Sequence, residues 1–210
     1  SGQEGALATL DILTGKVNPA GRLPVTFPKK ISDIAARDIQ HPERYAVSGR
    51  ISEKNAKHSN TAYFTEGILN GYRWFDEKGI EPQYPFGYGL SYTKFLYRNL
   101  QIEYTENEVR VFVEIENVGK QDGDEVVQCY LGKPNNIPED IQCAPKMLVD
   151  FQRVFIPVGE TRRVECRINE EYLKYYNPRK KEYQLFYGER EIMIGASSRD
   201  IRLKKKLIIK

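Results

Sequence analysis

The chain has 210 residues, 40% hydrophobic and 29% charged, which excludes a peptide, a miniprotein held by crosslinks and wholesale disorder. Lys and Arg outnumber Asp and Glu by 32 to 29, and a net charge of +3 is too small and too dispersed to select a nucleic acid as partner. No uninterrupted apolar run approaches the ~20 residues of a membrane-spanning helix, and residues 1–5 lack the basic and apolar halves of a signal peptide, so the chain reads as soluble with no membrane partner.

Leu7, Leu10 and Leu13 recur at helical spacing, and Gly15 follows where a helix C′ glycine sits, predicting a short amphipathic helix. After the turn Asn18-Pro19-Ala20-Gly21 comes the apolar segment from Leu23 to Phe27, whose internal Pro24 suits an edge strand or extended segment. Residues 29–70 are polar with little periodicity, either an ordered excursion that lines a cleft or a surface loop packed on its neighbour. His41 and His58 fall within it, 17 positions apart with no cysteine near, a poor metal pair. One helix and one extended segment are little structure for so much chain. Residues 1–95 therefore read as the closing piece of a larger α/β unit.

From Glu108 the pattern changes to strict alternation, with Val109, Val111, Val113 and Ile115 on one face, the signature of a half-buried strand. The turn at residues 117–120 ends it, and Glu125 to Leu131 repeats the pattern through Val127, Cys129 and Leu131. Further strands are predicted at 100–105, 147–156, 162–168, 183–187, 191–195 and 200–207, about seven in about 110 residues, the spacing of an immunoglobulin-like or fibronectin-like sandwich. Residues 169–176 are predicted as the one helical interruption, with Asn169 as N-cap ahead of Glu170 and Glu171. The fold class is thus mainly β: a fibronectin III-like sandwich over 96–210 preceded by a partial α/β segment. Lys204, Lys205 and Lys206 read as protection of a terminal edge strand. The three cysteines, Cys129, Cys143 and Cys166, are too few and too far apart for a disulfide framework or a zinc site. They read as buried free thiols, with one bridge left possible. Nothing in the sequence asks for a metal or a cofactor.

Several punctuated stretches carry a resemblance. They are Gly2-Gln3-Glu4-Gly5, the run from Gly15 to Pro28, Glu66-Gly67-Ile68, Gly71-Tyr72-Arg73-Trp74-Phe75-Asp76, and Tyr84-Pro85-Phe86-Gly87-Tyr88-Gly89-Leu90-Ser91-Tyr92. Pro157-Val158-Gly159-Glu160 and the run from Ile194 to Ile201 extend them into the strand-rich half. Order and wording resemble the C-terminal part of glycoside hydrolase family 3, the β-glucosidase and β-xylosidase family. That resemblance implies a parent enzyme acting on β-linked saccharides with retention, by two carboxylates about 5 Å apart. It further implies a nucleophilic aspartate in a (β/α) barrel and an acid/base glutamate upstream of the Gly-Gln-Glu-Gly loop, neither with a matching position here. The expectation is that this polypeptide alone does not hydrolyse glycosides. The resemblance also suggests a periplasmic or secreted location. The implied partners are the barrel and the rest of the α/β domain, or a second copy covering the N-terminal segment.

Five residues are candidates for framing a substrate: Glu4, Arg22, Arg73, Trp74 and Tyr84. Glu4 precedes a helix start, where capping is the preferred role. Arg22 and Arg73 could clamp sugar hydroxyls, with an ion pair between the two parts preferred. Trp74 and Tyr84 could stack on a sugar ring, with packing at the connection preferred. An alternative of another class is a free-standing carbohydrate-binding or adhesion module using the sandwich and its tyrosines. In either case the apolar faces of residues 1–30 are expected to pack on the sandwich or on another copy.

Overall fold

Alternation in sequence becomes alternation in burial. On strand β2 (Glu108–Asn117), Val109, Val111, Val113 and Ile115 are all buried while their neighbours are partly exposed. A computed structural model describes residues 2, 4–45, 62–105, 108–138 and 141–209, and β2 lies at the centre of a three-stranded antiparallel sheet within it. Its partners are β1 (Phe95–Tyr104) and β5 (Thr161–Asn169), with Val113 opposite Val164 and Val111 opposite Cys166. A second, four-stranded sheet has the order β4-β3-β8-β9, built from β3 (Gly123–Gly132), β4 (Lys146–Ile156), β8 (Gly188–Gly195) and β9 (Ile201–Ile209). One hydrophobic core joins the two sheets, with Ile115, Val127, Cys129, Cys166, Ile192 and Leu207 all at 0% exposure. Face-to-face antiparallel sheets sharing such a core are the predicted sandwich. The cysteines are free, Cys129 and Cys166 inside the core and Cys143 half-buried.

Two details differ from the expectation and one agrees. β1 begins at Phe95 rather than residue 100, because its register shifts between Arg98 and Gln101 and Asn99 takes φ +55°, a bulge that hides the period. Residues 169–176 are not a helix. A single 3-10 turn (Glu170–Leu173) leads into strand β6 (Lys174–Asn177), which pairs with β7 (Glu182–Leu185), and the Asn169 side chain makes no capping bond. The lysine-rich segment is the edge strand it was expected to be, with Lys204 on Glu191 and Lys206 on Glu189.

The leading residues form α1 (Gly5–Leu13), closed by Gly15 at φ +74°, and α2 (Tyr72–Glu77). Leu23 to Phe27 is extended and pairs with residues 83–88 through bonds such as Leu23 N–H to Tyr88 C=O and Phe27 N–H to Tyr84 C=O, both 2.8 Å. Three 3-10 turns, Ile31–Asp33, Ala35–Arg37 and Pro42–Arg44, order the described start of the excursion. They pack on α2 in a small second core of Ala35, Leu69, Trp74, Phe75 and Ala144. His58 lies outside the described residues, and His41 Nδ1 is 3.0 Å from Glu43. Residues 15–22 dock on the sandwich, through Gln121 to Gly15 C=O, Asn18 to Asp122 C=O and Arg22 to Glu125, but no residue of α1 is buried, and Leu7, Leu10 and Leu13 are 61%, 55% and 75% exposed.

Candidate functional site

Strand β3 is buried on both faces, which a half-buried strand would not be. Its inward face meets the core, and its outer face, carrying Gln128 and Tyr130, is covered by residues 72–88. Tyr130 donates to Gln128 Oε1 at 2.5 Å, and Gln128 Nε2 donates to the carbonyls of Gly87 (3.1 Å) and Ala196 (2.7 Å). Ser198 N–H donates to Phe86 C=O at 2.9 Å, and Tyr72 packs against Phe86 with ring centroids 4.9 Å apart. The Pro85–Tyr92 motif is thus seated by backbone contacts that require a tight turn. Gly87 has φ +79°, and a Cβ there would lie 2.1 Å from Gln128 Oε1. Gly87→Ala is therefore expected to lower stability by about 2 kcal/mol, combining the left-handed cost with displacement of Gln128. The midpoint of urea unfolding reads this, and an unchanged midpoint would show that the turn relaxes without disturbing Gln128.

Two ion pairs lock the same joint. Asp76 on α2, a side chain 6% exposed, is held by Lys146 of β4 and by Arg199 at 2.9 Å. Arg22 reaches between the ends of the two sheets to Glu125 on β3. Glu125 is 2% exposed, and burial pushes its carboxyl pKa above the ordinary 4.5 against the downward pull of the Arg22 charge and the Val126 N–H. Asn18 completes the joint, donating to Asp122 C=O (3.2 Å) and accepting from Tyr92 N–H (2.9 Å) and Ser91 Oγ (3.2 Å).

The five candidates are not brought together. Glu4 occupies the N-cap position of α1, yet its side chain makes no capping hydrogen bond. Arg22 forms the expected ion pair between the two parts. Arg73 has a buried Nε without a hydrogen-bond partner and lies 6.0 Å over the Tyr72 ring. Trp74 is 5% exposed, with Nε1–H donated to Asp33 C=O at 3.0 Å and Arg44 over its face at 5.4 Å. Tyr84 is 42% exposed and stands beside Phe27 and Tyr88 on an aromatic shelf. Arg73 and Trp74 border one cleft and Arg22 and Tyr84 another. The carboxylates of the joint are each tied to a cation, and among the described residues no group of three or more His, Cys, Asp or Glu is placed to hold a metal. The joint is built to hold two parts in register.

Gln128, Asp76 and Asn18 escape sequence reasoning because the partners that tie them across the joint lie 41 to 123 positions away. Glu125 did carry a signal: it shares the inward parity of Val127, Cys129 and Leu131, and a carboxylate at a core position requires a partner.

Residues 1–92 match the glycosyl hydrolase family 3 C-terminal domain, and residues 125–198 match the fibronectin type III-like domain. The thermostable beta-glucosidase B of Acetivibrio thermocellus is 37% identical over 207 residues, which is 97% of this chain and 25% of that protein. Beta-glucosidase B of Emericella nidulans is 38% identical over 98% of this chain and 24% of its own length. Among solved structures, beta-glucosidase 3B from Thermotoga neapolitana in complex with glucose superposes with a TM-score of 0.85 at 34% identity, covering 100% of this chain and 27% of that one. The chain spans about a quarter of the length of these relatives. With both of its parts matched in order and nearly every residue aligned, the chain belongs to glycoside hydrolase family 3, as a C-terminal region of that family.

Proposed function

We propose that residues 1–95 and 96–210 together form the non-catalytic C-terminal portion of a β-glucosidase-type enzyme, with a structural and substrate-framing role. The observation that carries this is the joint itself: Arg22 with Glu125, Asp76 with Lys146 and Arg199, and Gln128 with Gly87 weld the leading segment to the sandwich. Such a weld suits a sandwich that braces a neighbouring domain and presents loops at fixed positions. The exposed leucines of α1 support the same reading, as a face that the rest of a larger α/β domain would cover, with a second copy as the other candidate. Tyr84 keeps an exposed ring with which to approach a β-linked saccharide, whereas Arg22 and Trp74 act as braces.

The purified chain is expected not to turn over an aryl β-glucoside, and measurable turnover free of contaminating enzyme would overturn the non-catalytic role. A chimera in which residues 1–210 replace the matching quarter of the Acetivibrio thermocellus protein is expected to hydrolyse that substrate. A folded chimera without turnover would remove the bracing role.

A further inference from the structure

Asn70-Gly71 is the one Asn-Gly step in the chain. In such a step the glycine nitrogen can attack the asparagine side-chain carbonyl, because glycine has no side chain to crowd the approach and its backbone turns freely. The bond formed joins Gly71 N to Asn70 Cγ, the bond broken is Cγ–Nδ2, and ammonia leaves behind a five-membered succinimide. Water then opens the ring. Cleavage of the new N–Cγ bond gives aspartate, and cleavage of the original peptide bond gives isoaspartate, with the main chain rerouted through the former side chain. The balance needs only water.

Whether a folded chain permits this depends on the surroundings of the step. Asn70 is exposed, and its side chain makes no hydrogen bond among the described residues. The Gly71 N–H likewise donates to no acceptor there. Gly71 stands at φ +53°, and a Cβ built on it would meet nothing within 4 Å, which leaves open space around the ring that must close. A second step of the same kind, Asp122-Gly123, could form the same succinimide with loss of water, but its surroundings are the opposite. Asp122 Oδ1 accepts from Val158 N–H at 2.8 Å, and Gly123 is buried and paired with Ile156 in the β3–β4 ladder. A Cβ on Gly123 would lie 2.1 Å from Asn18 Nδ2. Sequence marks both steps, and the fold leaves only the first one open.

Isoaspartate lengthens the main chain by one carbon at a place tied on both sides. Ile68 N–H donates to Gln142 Oε1 and Gln142 Nε2 donates to Glu66 C=O, both at 3.0 Å, while Arg73 N–H donates to Asn70 C=O at 3.2 Å. Leu69 before the step and Trp74 and Phe75 after it share the small second core. Added length between them displaces α2, which carries Asp76 of the joint.

We propose that Asn70-Gly71 is a spontaneous modification site, at which the folded chain converts Asn70 to aspartate and isoaspartate and thereby loosens α2 from the sandwich.

The full chain held folded at mildly alkaline pH is compared with a sample held unfolded in urea, by peptide mapping and by enzymatic methylation of isoaspartate. Conversion at 70 is expected in both samples at rates within about tenfold of each other, whereas isoaspartate at 122 accumulates only in the unfolded one. Asn70→Gln, an exposed replacement that would have to close a six-membered ring, is expected to stop conversion at 70. Trp74 is the one tryptophan, so its emission reports on α2. It is expected to shift to longer wavelength as the parent chain converts and to stay constant in Asn70→Gln. Protection at 70 in the folded chain by more than about tenfold overturns the site. Equal isomerisation at 122 in folded and unfolded chains overturns the selection by local space, and unchanged Trp74 emission after conversion overturns the loosening of α2.

Discussion

Glu125→Ala unfolds at lower urea than the parent chain, with a loss of about 3 to 5 kcal/mol at pH 7. The reason is the asymmetry of a buried pair. Arg22 is 13% exposed at its side chain and Glu125 2%, so removing the carboxylate leaves a guanidinium buried at the open end of the sandwich with no counter-charge. The Arg22 Nε already lacks a hydrogen-bond partner. Arg22→Leu combined with Glu125→Leu should recover most of the loss, because well-packed apolar residues commonly match or exceed a buried ion pair. If the single and double variants are equally unstable, packing rather than charge governs the joint.

The same residue makes stability depend on pH. Burial raises the Glu125 pKa in the folded chain above the ordinary 4.5, so the folded state binds its proton more tightly than the unfolded state. Stability from this group is greatest below about 4.5 and declines as pH rises from there through the folded pKa, after which it is flat. Glu125→Gln should abolish that decline while keeping the shape of the side chain. Urea midpoints from pH 4 to 8 measure it, and a decline of equal size in Glu125→Gln would assign the effect to another group.

What could be read from the chain depended on how far away each residue's partner lies. The β2 alternation was legible because period-two burial is a local property of Val109 to Ile115, and the turn after it was marked by its own residues. Residues 174–177 were not legible, because Asn169, Glu170 and Glu171 imitate a helix start. The outcome is decided instead by cross-strand partners: Tyr175 stacks on Phe186 at 4.2 Å and Tyr176 meets Tyr183 at 5.5 Å. The candidate site divided in the same way. The Pro85–Tyr92 motif announced itself, but its seat on Gln128 and Tyr130 did not, since strand alternation assigns those two residues to solvent. Arg22 reads as one half of an ion pair, while Glu125 is marked only by a carboxylate at an inward-facing strand position.

Asn117→Ala is expected to cost about 3 kcal/mol or more, although the sequence marks Asn117 only as the first residue of a turn. Its side chain is fully buried and makes four hydrogen bonds. Nδ2 donates to Ile156 C=O (2.9 Å) and Gln121 C=O (2.8 Å), while Oδ1 accepts from Thr93 Oγ1 (2.6 Å) and Gly119 N–H (3.1 Å). One amide therefore ties the end of β4, the β2–β3 turn and the linker that leads into β1. Truncation strands a buried carbonyl and a buried hydroxyl at about 1 to 3 kcal/mol each. Asn117→Asp should be no milder, since it keeps the acceptor but sets a charge against two carbonyl oxygens. Thr93→Val removes a single donor and is expected to cost about 1 kcal/mol. Combined with Asn117→Ala it should add less than its own cost, because the contact is already gone. Full additivity, or an Asn117→Ala loss below about 1 kcal/mol, would mean that water takes over the amide's bonds and that the linker is held to the sandwich chiefly by the Arg22 and Asp76 ion pairs.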